Sequence, residues 1–467
     1  MDYKPQTPVA TTAQFTPRLI IHGGAGNIVR KGFPEDKYQA YRKALLEIVI
    51  TTNQYLNTEV RDEKRSDGSS ACPRFRSALE IATHAVVQLE NNPLFNSGHG
   101  AVFTRDGINQ LEASVMVSRG FKKRGVGVMG LRHVRNPIIL ARKMLEHGEQ
   151  DLALKNELEP RTMSHGIDAP SAQGHTQIYG AAAEKLARHY GCEMVDSSYY
   201  FTQQRWDEHI RALEKEKKGM STGTWDANEY LPQGTCGAVA MDSEGVICAA
   251  TSTGGMTNKL SGRVGDTPVP GAGFWAGEWE ESGDPTGKST WGKFVDPISI
   301  ADAGLSITGP LKGLFADCLP TPWMYTPVNL DDQPHSMART KRAVGISGTG
   351  NGDSFLRVCA AHTVASMAQW KVESSAKALT GVVGPQGILQ QSAAERWGKT
   401  GEGEGGMIGI EAVEIHDAQG RVVGTRSEIL MDYNCGGMYR AWIDDDGKPV
   451  MSIWSNDSED DHHGTLL

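Results

Sequence analysis

The chain has 467 residues, with 47 lysines and arginines against 56 aspartates and glutamates and a formal net charge of −9. That balance excludes a general nucleic-acid binder, because neutralising phosphates takes a basic surface. No stretch approaches the roughly 18 apolar residues of a spanning helix, and the first eight residues hold no apolar core of a signal peptide, so a cytoplasmic protein away from membranes is expected. Seven cysteines, at 72, 192, 236, 248, 318, 359 and 435, form no C-x-x-C pair and are odd in number, which fits a reducing compartment.

In chain order, residues 1–17 are rich in Pro, Thr and Gln and read as a disordered extension. Arg18-Leu19-Ile20-Ile21-His22 reads as a strand running into Gly23-Gly24-Ala25-Gly26. That cluster lacks the Lys-Ser/Thr of a phosphate loop, so close approach of backbone to another strand or a small ligand is the preferred reading, ahead of a nucleotide site. Helical spacing of apolar residues predicts helices over 36–56 and 77–90, and Asn92 to Gly100 reads as a loop. Strands are expected at about 101–117 and 124–131, a helix from Asn136-Pro137 through Leu145, and another at 179–190. Residues 205–218 are highly charged, with only Ile210 and Leu213 as an apolar stripe, and predict an exposed helix. Residues 219–234 read as a linker, followed by a β-patterned run that starts at Thr235 and a second run from Ala249 to Met256.

Residues 267–340 are dense in Pro, Gly and Trp without a clean period and read as an irregular insertion. A strand then enters the turn Thr349-Gly350-Asn351-Gly352-Asp353, and one helix is expected from Ser354 to about Trp370. A helix followed by a Gly/Glu-rich loop fills 375–406, strands follow at about 407–416 and 421–427, and 456–467 reads as a solvated acidic tail. The pattern fits sheets packed on sheets with helices outside, a layered α/β or α+β domain.

The chemistry concentrates after the linker. Thr235 follows Gly234 at the start of a strand, yet an internal threonine needs a base beside it. None of the 14 histidines sits in a recognisable catalytic motif and there is no G-x-S-x-G elbow. The remaining base is the residue's own α-amino group, which accepts a proton near neutrality (pKa about 7.7–8.0) but is free only if the Gly234–Thr235 bond is cut. The competing reading is a buried strand threonine flanked by glycines for packing. Arg263 offers a fork for a carboxylate and Asp266 an anion for an ammonium, which together read as an α-amino-acid clamp or, more commonly for any such pair, a surface ion pair. Thr349 and Gly350 read as a hydroxyl and a backbone N–H for a developing oxyanion, or as an ordinary Gly-rich turn.

The runs Ile20-Ile21-His22-Gly23-Gly24-Ala25-Gly26, Pro93-Leu94-Phe95-Asn96-Ser97-Gly98, Gly234-Thr235-Cys236-Gly237-Ala238-Val239-Ala240, Thr251 to Lys259, Gly262 to Pro268 and Thr349 to Asp353 occur in that order. They resemble the plant-type (type 2) asparaginase / isoaspartyl peptidase family of N-terminal-nucleophile hydrolases, which includes glycosylasparaginase and taspase. The resemblance implies an α+β fold, a four-layer αββα sandwich, and a precursor that cleaves itself into an α chain of 1–234 and a β chain of 235–467. It implies Thr235 as nucleophile, Thr253 hydrogen-bonded to it, and Thr349 with Gly350 as the oxyanion hole. The substrate would lie among Arg263, Val264, Gly265, Asp266, Thr349, Gly350, Asn351 and Gly352, with Asn96 supporting. No cofactor is implied beyond a structural sodium ion on backbone carbonyls of Leu89, Glu90, Asn92, Phe95, Ser97 and His99. A small-molecule or short-peptide substrate and a homodimer of processed αβ units are implied as partners. Hydrolysis of L-asparagine and β-aspartyl peptides is the expected activity. The alternatives are a glycosylasparaginase-like or taspase-like hydrolase and a catalytically silent amino-acid binder.

Overall fold

The computed structural model describes residues 14–60, 74–153, 171–218, 234–282, 339–371, 374–417 and 419–455. The expected linker before Gly234, most of the expected insertion and the acidic tail lie outside the described residues. Of the expected N-terminal extension, residues 14–17 are described, and Phe15 is buried with its N–H donating to the Ser243 carbonyl at 3.2 Å.

Among the described residues, twelve strands form two sheets. The larger has the order β12 (Pro449–Ser452), β11 (Gly437–Ile443), β1 (Arg18–Gly26), β5 (Cys236–Met241), β6 (Ile247–Thr253), β2 (Leu111–Val117), β3 (Gly125–Leu131), β4 (Gln177–Tyr179). The smaller has the order β10 (Val422–Tyr433), β9 (Gly405–His416), β8 (Arg339–Gly350), β7 (Phe274–Ser282). Neighbours are antiparallel except β3 with β4.

Alternation along each central strand explains the packing, since successive side chains leave a strand on opposite faces. In β5, Cys236, Ala238 and Ala240 belong to an apolar cluster with α1 (Glu35–Leu56), α2 (Ala78–Asn91), α3 (Pro137–Asp151) and α4 (Gly180–His189). Val239 and Met241 face the other way, into a cluster shared with Phe274, Ala343, Ile408 and Ile410 of the smaller sheet. A third cluster joins the smaller sheet to α6 (Gly352–Val358), α7 (Ala360–Trp370), α8 (Ser375–Val383) and α9 (Ile388–Gln391). Each sheet thus carries helices on its outer face, and the two inner faces meet. Among the described residues no helix is long and apolar enough to cross a membrane.

Three expectations are corrected. The region expected to be irregular from 267 contains β7, nine residues paired along their length with β8. The single helix expected over 354–370 is two, because Cys359 adopts a left-handed φ of 46° between α6 and α7. The charged helix expected to be exposed, α5 (Gln203–Lys217), buries Arg205, Glu208 and His209. Arg205 Nη1 meets Glu208 Oε2 at 2.9 Å, and its Nε donates to the Gly100 carbonyl at 2.9 Å. Its buried face is polar, so an apolar stripe could not reveal it.

Candidate active site

Thr235 stands just before β5, buried, with its Oγ1 3.1 Å from the Thr267 hydroxyl. Gly234 is held in a space that admits no side chain. A Cβ there would lie 2.5 Å from Ala25 N, 2.5 Å from Gly24 Cα and 2.6 Å from Thr349 Oγ1. Gly24 in turn, at φ +120°, lies against Gly234, and a Cβ on it would come within 3.1 Å of Gly234 Cα. The glycine cluster of β1 therefore serves close backbone approach, at the Gly234–Thr235 bond. Thr349, at the end of β8, is fully buried and its Oγ1 accepts from Ala25 N at 3.3 Å. Gly350 must be glycine, since a Cβ would lie 2.4 Å from the Glu404 carbonyl oxygen.

Thr253 departs from expectation. Cys236 pairs with Ser252, so the continued register sets Thr253 beside Thr235. Its Oγ1, however, accepts the Gly255 N–H at 3.0 Å, and the hydroxyl that reaches Thr235 is that of Thr267. Thr267 was not singled out in the sequence. Its only signal is adjacency to Asp266.

Asp266 is buried, and its Oδ2 has no hydrogen-bond partner among the described residues. Burial pushes its carboxyl up to about 7, against the opposing pulls of its own backbone N–H and Arg263. A buried, unpartnered carboxylate oxygen is costly unless something meets it. Arg263 Nη2 donates to Asp353 Oδ1 at 2.9 Å, an ion pair whose carboxylate side chain is 60% exposed. Pairs this exposed contribute about 0–1 kcal/mol, so another carboxylate can replace Asp353 at little cost. Gly352, the first residue of α6, lies directly over the clamp. A Cβ there would sit 2.5 Å from Asp266 Oδ1 and 3.2 Å from Arg263 Nη2.

The loop carrying this clamp is fixed from below by a residue the sequence reading passed over. Glu112 of β2 accepts the Gly265 N–H on both oxygens, at 3.4 and 3.2 Å, and meets Lys259 Nζ at 3.3 Å. A carboxylate inside a strand with every residue buried was the available signal. Val264 is partly buried between the two clamp residues. The side-chain oxygen of Asn351 is taken up within the chain. Its Oδ1 caps α6 by accepting from Ser354 N (3.0 Å) and Ser354 Oγ (2.8 Å), and its N–H donates to the Glu404 carbonyl at 2.9 Å.

Asn96 supports the end of β6. Its Nδ2 donates to the Gly255 carbonyl at 2.7 Å and its carbonyl accepts the Gly254 N–H at 2.9 Å. In the surrounding loop the carbonyls of Leu89, Glu90, Asn92 and Phe95 each accept one backbone N–H, from Asn92, His99, Phe95 and Ser97. A Cβ on Gly100 would meet the Phe95 and Pro93 carbonyl oxygens at 2.6 Å each, so carbonyls crowd around a glycine. A carbonyl oxygen keeps a second lone pair, and an oxygen-only set suits a hard cation, so the loop fits sodium. Among the described residues no cluster of three His, Cys, Asp or Glu side chains could hold a metal. Of the Glu90 side chain, Oε1 accepts from Ser252 Oγ at 2.7 Å and Ile138 N at 3.0 Å, Oε2 is buried without a hydrogen-bond partner among the described residues, and burial lifts the carboxyl to about 7.

Thr235, the glycine-lined Gly234–Thr235 bond, Thr349 with Gly350, and the Arg263 and Asp266 pair thus converge at one end of the two-sheet interface. Comparison with known sequences gives the family. A family model described as Asparaginase matches residues 15–158 and 167–287, more than half of the chain. The chain is similar to an isoaspartyl peptidase of Escherichia coli, with 29% identity over 93% of this chain and 95% of that protein. It is also similar to a putative isoaspartyl peptidase/L-asparaginase of Dictyostelium discoideum, 32% identical over 55% of this chain and 70% of the relative. A plant-type L-asparaginase of Thermococcus kodakarensis is 32% identical over 56% and 70%. The chain belongs to the asparaginase family.

Proposed function

We propose that this protein is an amidohydrolase that cleaves L-asparagine and β-aspartyl (isoaspartyl) peptides, releasing L-aspartate, after cutting itself between Gly234 and Thr235. Family membership and the names carried by the relatives support the substrate class. The observation that carries the mechanism is local. The buried, unpartnered Asp266 oxygen is one residue from Thr267, whose hydroxyl touches Thr235.

In maturation, Thr235 Oγ attacks the Gly234 carbonyl carbon, the C–N bond breaks, and water hydrolyses the resulting ester. The released amine of Thr235 then serves as base near neutrality. In turnover, Arg263 takes the substrate α-carboxylate from Asp353 and Asp266 takes the α-ammonium. Thr235 Oγ attacks the side-chain amide carbon, and its proton passes through the terminal amine to the leaving nitrogen. The Thr349 hydroxyl and the Gly350 N–H meet the oxyanion. Water then releases aspartate from the β-aspartyl ester on Thr235. Arg263, Val264, Gly265 and Asp266 form one wall of the pocket, and Gly350 and Gly352 the other. Asn351 shapes that second wall as a cap.

The same reading makes the two sheets and their outer helices the four-layer αββα sandwich of N-terminal-nucleophile hydrolases, with the three apolar clusters as the boundaries between layers. A structural sodium ion would sit on backbone carbonyls of Leu89, Glu90, Asn92, Phe95, Ser97 and His99 and brace the loop that holds Asn96. A homodimer of processed units acting in the cytoplasm completes the proposal.

The test is a denaturing gel coupled to ammonia release. Wild type should run as two pieces of similar length and release ammonia from asparagine and a β-aspartyl dipeptide. Thr235→Ala should remain one chain without activity. A single uncut band with full activity refutes the mechanism, and release from a glycosylated asparagine alone redirects the substrate.

A further inference from the structure

His22 belongs to the sequence run that carries the family resemblance, yet none of the chemistry above uses it. It is completely buried in β1. Register places it opposite Gly237 of β5, which is opposite Thr251 of β6. These three lie in one row across the larger sheet. Ile20, Val239 and Ala249 occupy the next row down and point into the cluster between the sheets, so two-residue periodicity sends His22 and Thr251 into that interface as well. Ser347 of β8 meets them from the opposing sheet. His22 Nε2 is 2.7 Å from Ser347 Oγ, which is 3.3 Å from Thr251 Oγ1. Gly237 leaves room for this contact, because a Cβ there would lie 2.3 Å from Ser347 Oγ and 2.6 Å from His22 Nε2.

One row up are the reacting groups. Thr235 is two residues before Gly237, and Thr349 two after Ser347. The interface between the sheets is therefore stratified. Apolar side chains fill its depth, a polar layer of His22, Thr251 and Ser347 follows, and the catalytic threonines lie on top. His22, Thr251 and Ser347 are all fully buried, and a hydrogen bond in such low-dielectric surroundings is stronger than one in water.

We propose that His22 is a positioning residue which, through Ser347, fixes strand β8 against strand β5 and so sets the oxyanion donors at Thr349 and Gly350 relative to the Thr235 nucleophile. It works as a neutral hydrogen-bonding ring. Burial holds the imidazolium down to about 3, against the opposing pull of the Thr235 backbone, so the ring carries no charge at working pH. The inference rests on the proposed roles of Thr235 and Thr349. It predicts an effect chiefly on kcat, because the clamp at Arg263 and Asp266 is carried by another loop, which joins β8 through Gly273 (Gly348 N–H to the Gly273 carbonyl at 2.8 Å, Gly273 N–H to the Asp266 carbonyl at 3.2 Å) rather than through His22.

The experiment compares His22→Gln, His22→Leu and Ser347→Ala with wild type. Cleaved active sites are counted from the β-chain band, and kcat and KM for asparagine are measured per cleaved site. Gln can restore an amide hydrogen-bonding group near the Nε2 position, so His22→Gln should keep kcat within about threefold. Ser347→Ala, which loses only a hydroxyl, and His22→Leu should each lower kcat about tenfold or more with KM unchanged, as small displacements of reacting groups do. Self-cleavage should slow in the same order. The proposal is overturned if Ser347→Ala keeps wild-type kcat, if the loss falls on KM instead, or if His22→Gln is as impaired as His22→Leu. Loss of thermal stability with normal kcat per cleaved site would also overturn it, since that is the mark of a merely structural contact. Failure of wild type to cleave at all would instead sink the reading on which the proposal rests.

Discussion

Asp266 shows two opposed consequences of burial in one side chain. Its carboxyl is raised from 3.8 to about 7 by burial, but the proposed function needs it ionised to receive an ammonium. Apparent substrate affinity should therefore improve as pH rises through about 7, and KM should fall over that interval. Asp266→Asn should raise KM at least tenfold and remove this pH dependence, which steady-state kinetics between pH 5.5 and 8.5 would read. Stability has the opposite sign. A raised folded-state value means the folded chain binds more protons, so this contribution is full below pH 3.8 and is lost as pH climbs to about 7. Glu90, raised from 4.5 to about 7 by burial, acts in the same direction. The ligand-free protein should lose melting temperature between pH 5 and 7, and aspartate should restore it at pH 7. A flat melting profile would contradict the assignment. Gly352→Ala should also act on binding first, because its Cβ would crowd Asp266 Oδ1 at 2.5 Å. KM should rise while the extent of self-cleavage stays normal.

Elements differ in how much of them the sequence displayed. α2 was legible from apolar spacing toward the core, and the structure adds a capping box at its start, Ser77 Oγ accepting from Glu80 N at 3.3 Å and Glu80 Oε2 accepting from Ser77 N at 2.9 Å. Ser77→Ala should destabilise the protein by about 1 kcal/mol, read as a lower denaturant midpoint with activity retained. α5 was misread because it buries charge against the carbonyl of Gly100, and nothing in a hydrophobic pattern signals that partner. β7 was hidden by the Pro, Gly and Trp content around it, although Phe274 and Ala276 alternate into the inner core. In the site, Thr235, Arg263 and Asp266 were visible through their chemistry and local spacing. Glu112, Thr267 and Ser347 were not, because their roles exist only after strands distant in sequence are paired. Thr253 shows the same limit from the other side. Register places it beside Thr235, but only the three-dimensional arrangement gives its hydroxyl to Gly255.

At the scale of the whole molecule, the order of strands in the larger sheet matters more than their number. Reading across it, β12 and β11 come from after Gly234, β1 from before, β5 and β6 from after, and β2, β3 and β4 from before. A cut at Gly234 therefore yields two polypeptides whose strands alternate in blocks within one sheet. Neither piece holds a contiguous half of it. The native protein should run as one particle on a sizing column after cutting, although it denatures into two bands. Uncut Thr235→Ala should refold after denaturation as a single chain. The cut form should refold slowly, in a concentration-dependent way and with poor yield, because its strands must find partners on another molecule. Refolding yields measured at two protein concentrations would separate the cases.

That threading gives maturation a memory. If the proposed cut occurs, the fold is assembled once, while the chain is continuous, and the cut removes the covalent route by which it was reached. The working protein then persists by the height of its unfolding barrier rather than by an equilibrium it can revisit. Its lifetime is set at the moment of activation, and a molecule that opens fully does not simply return as the same enzyme.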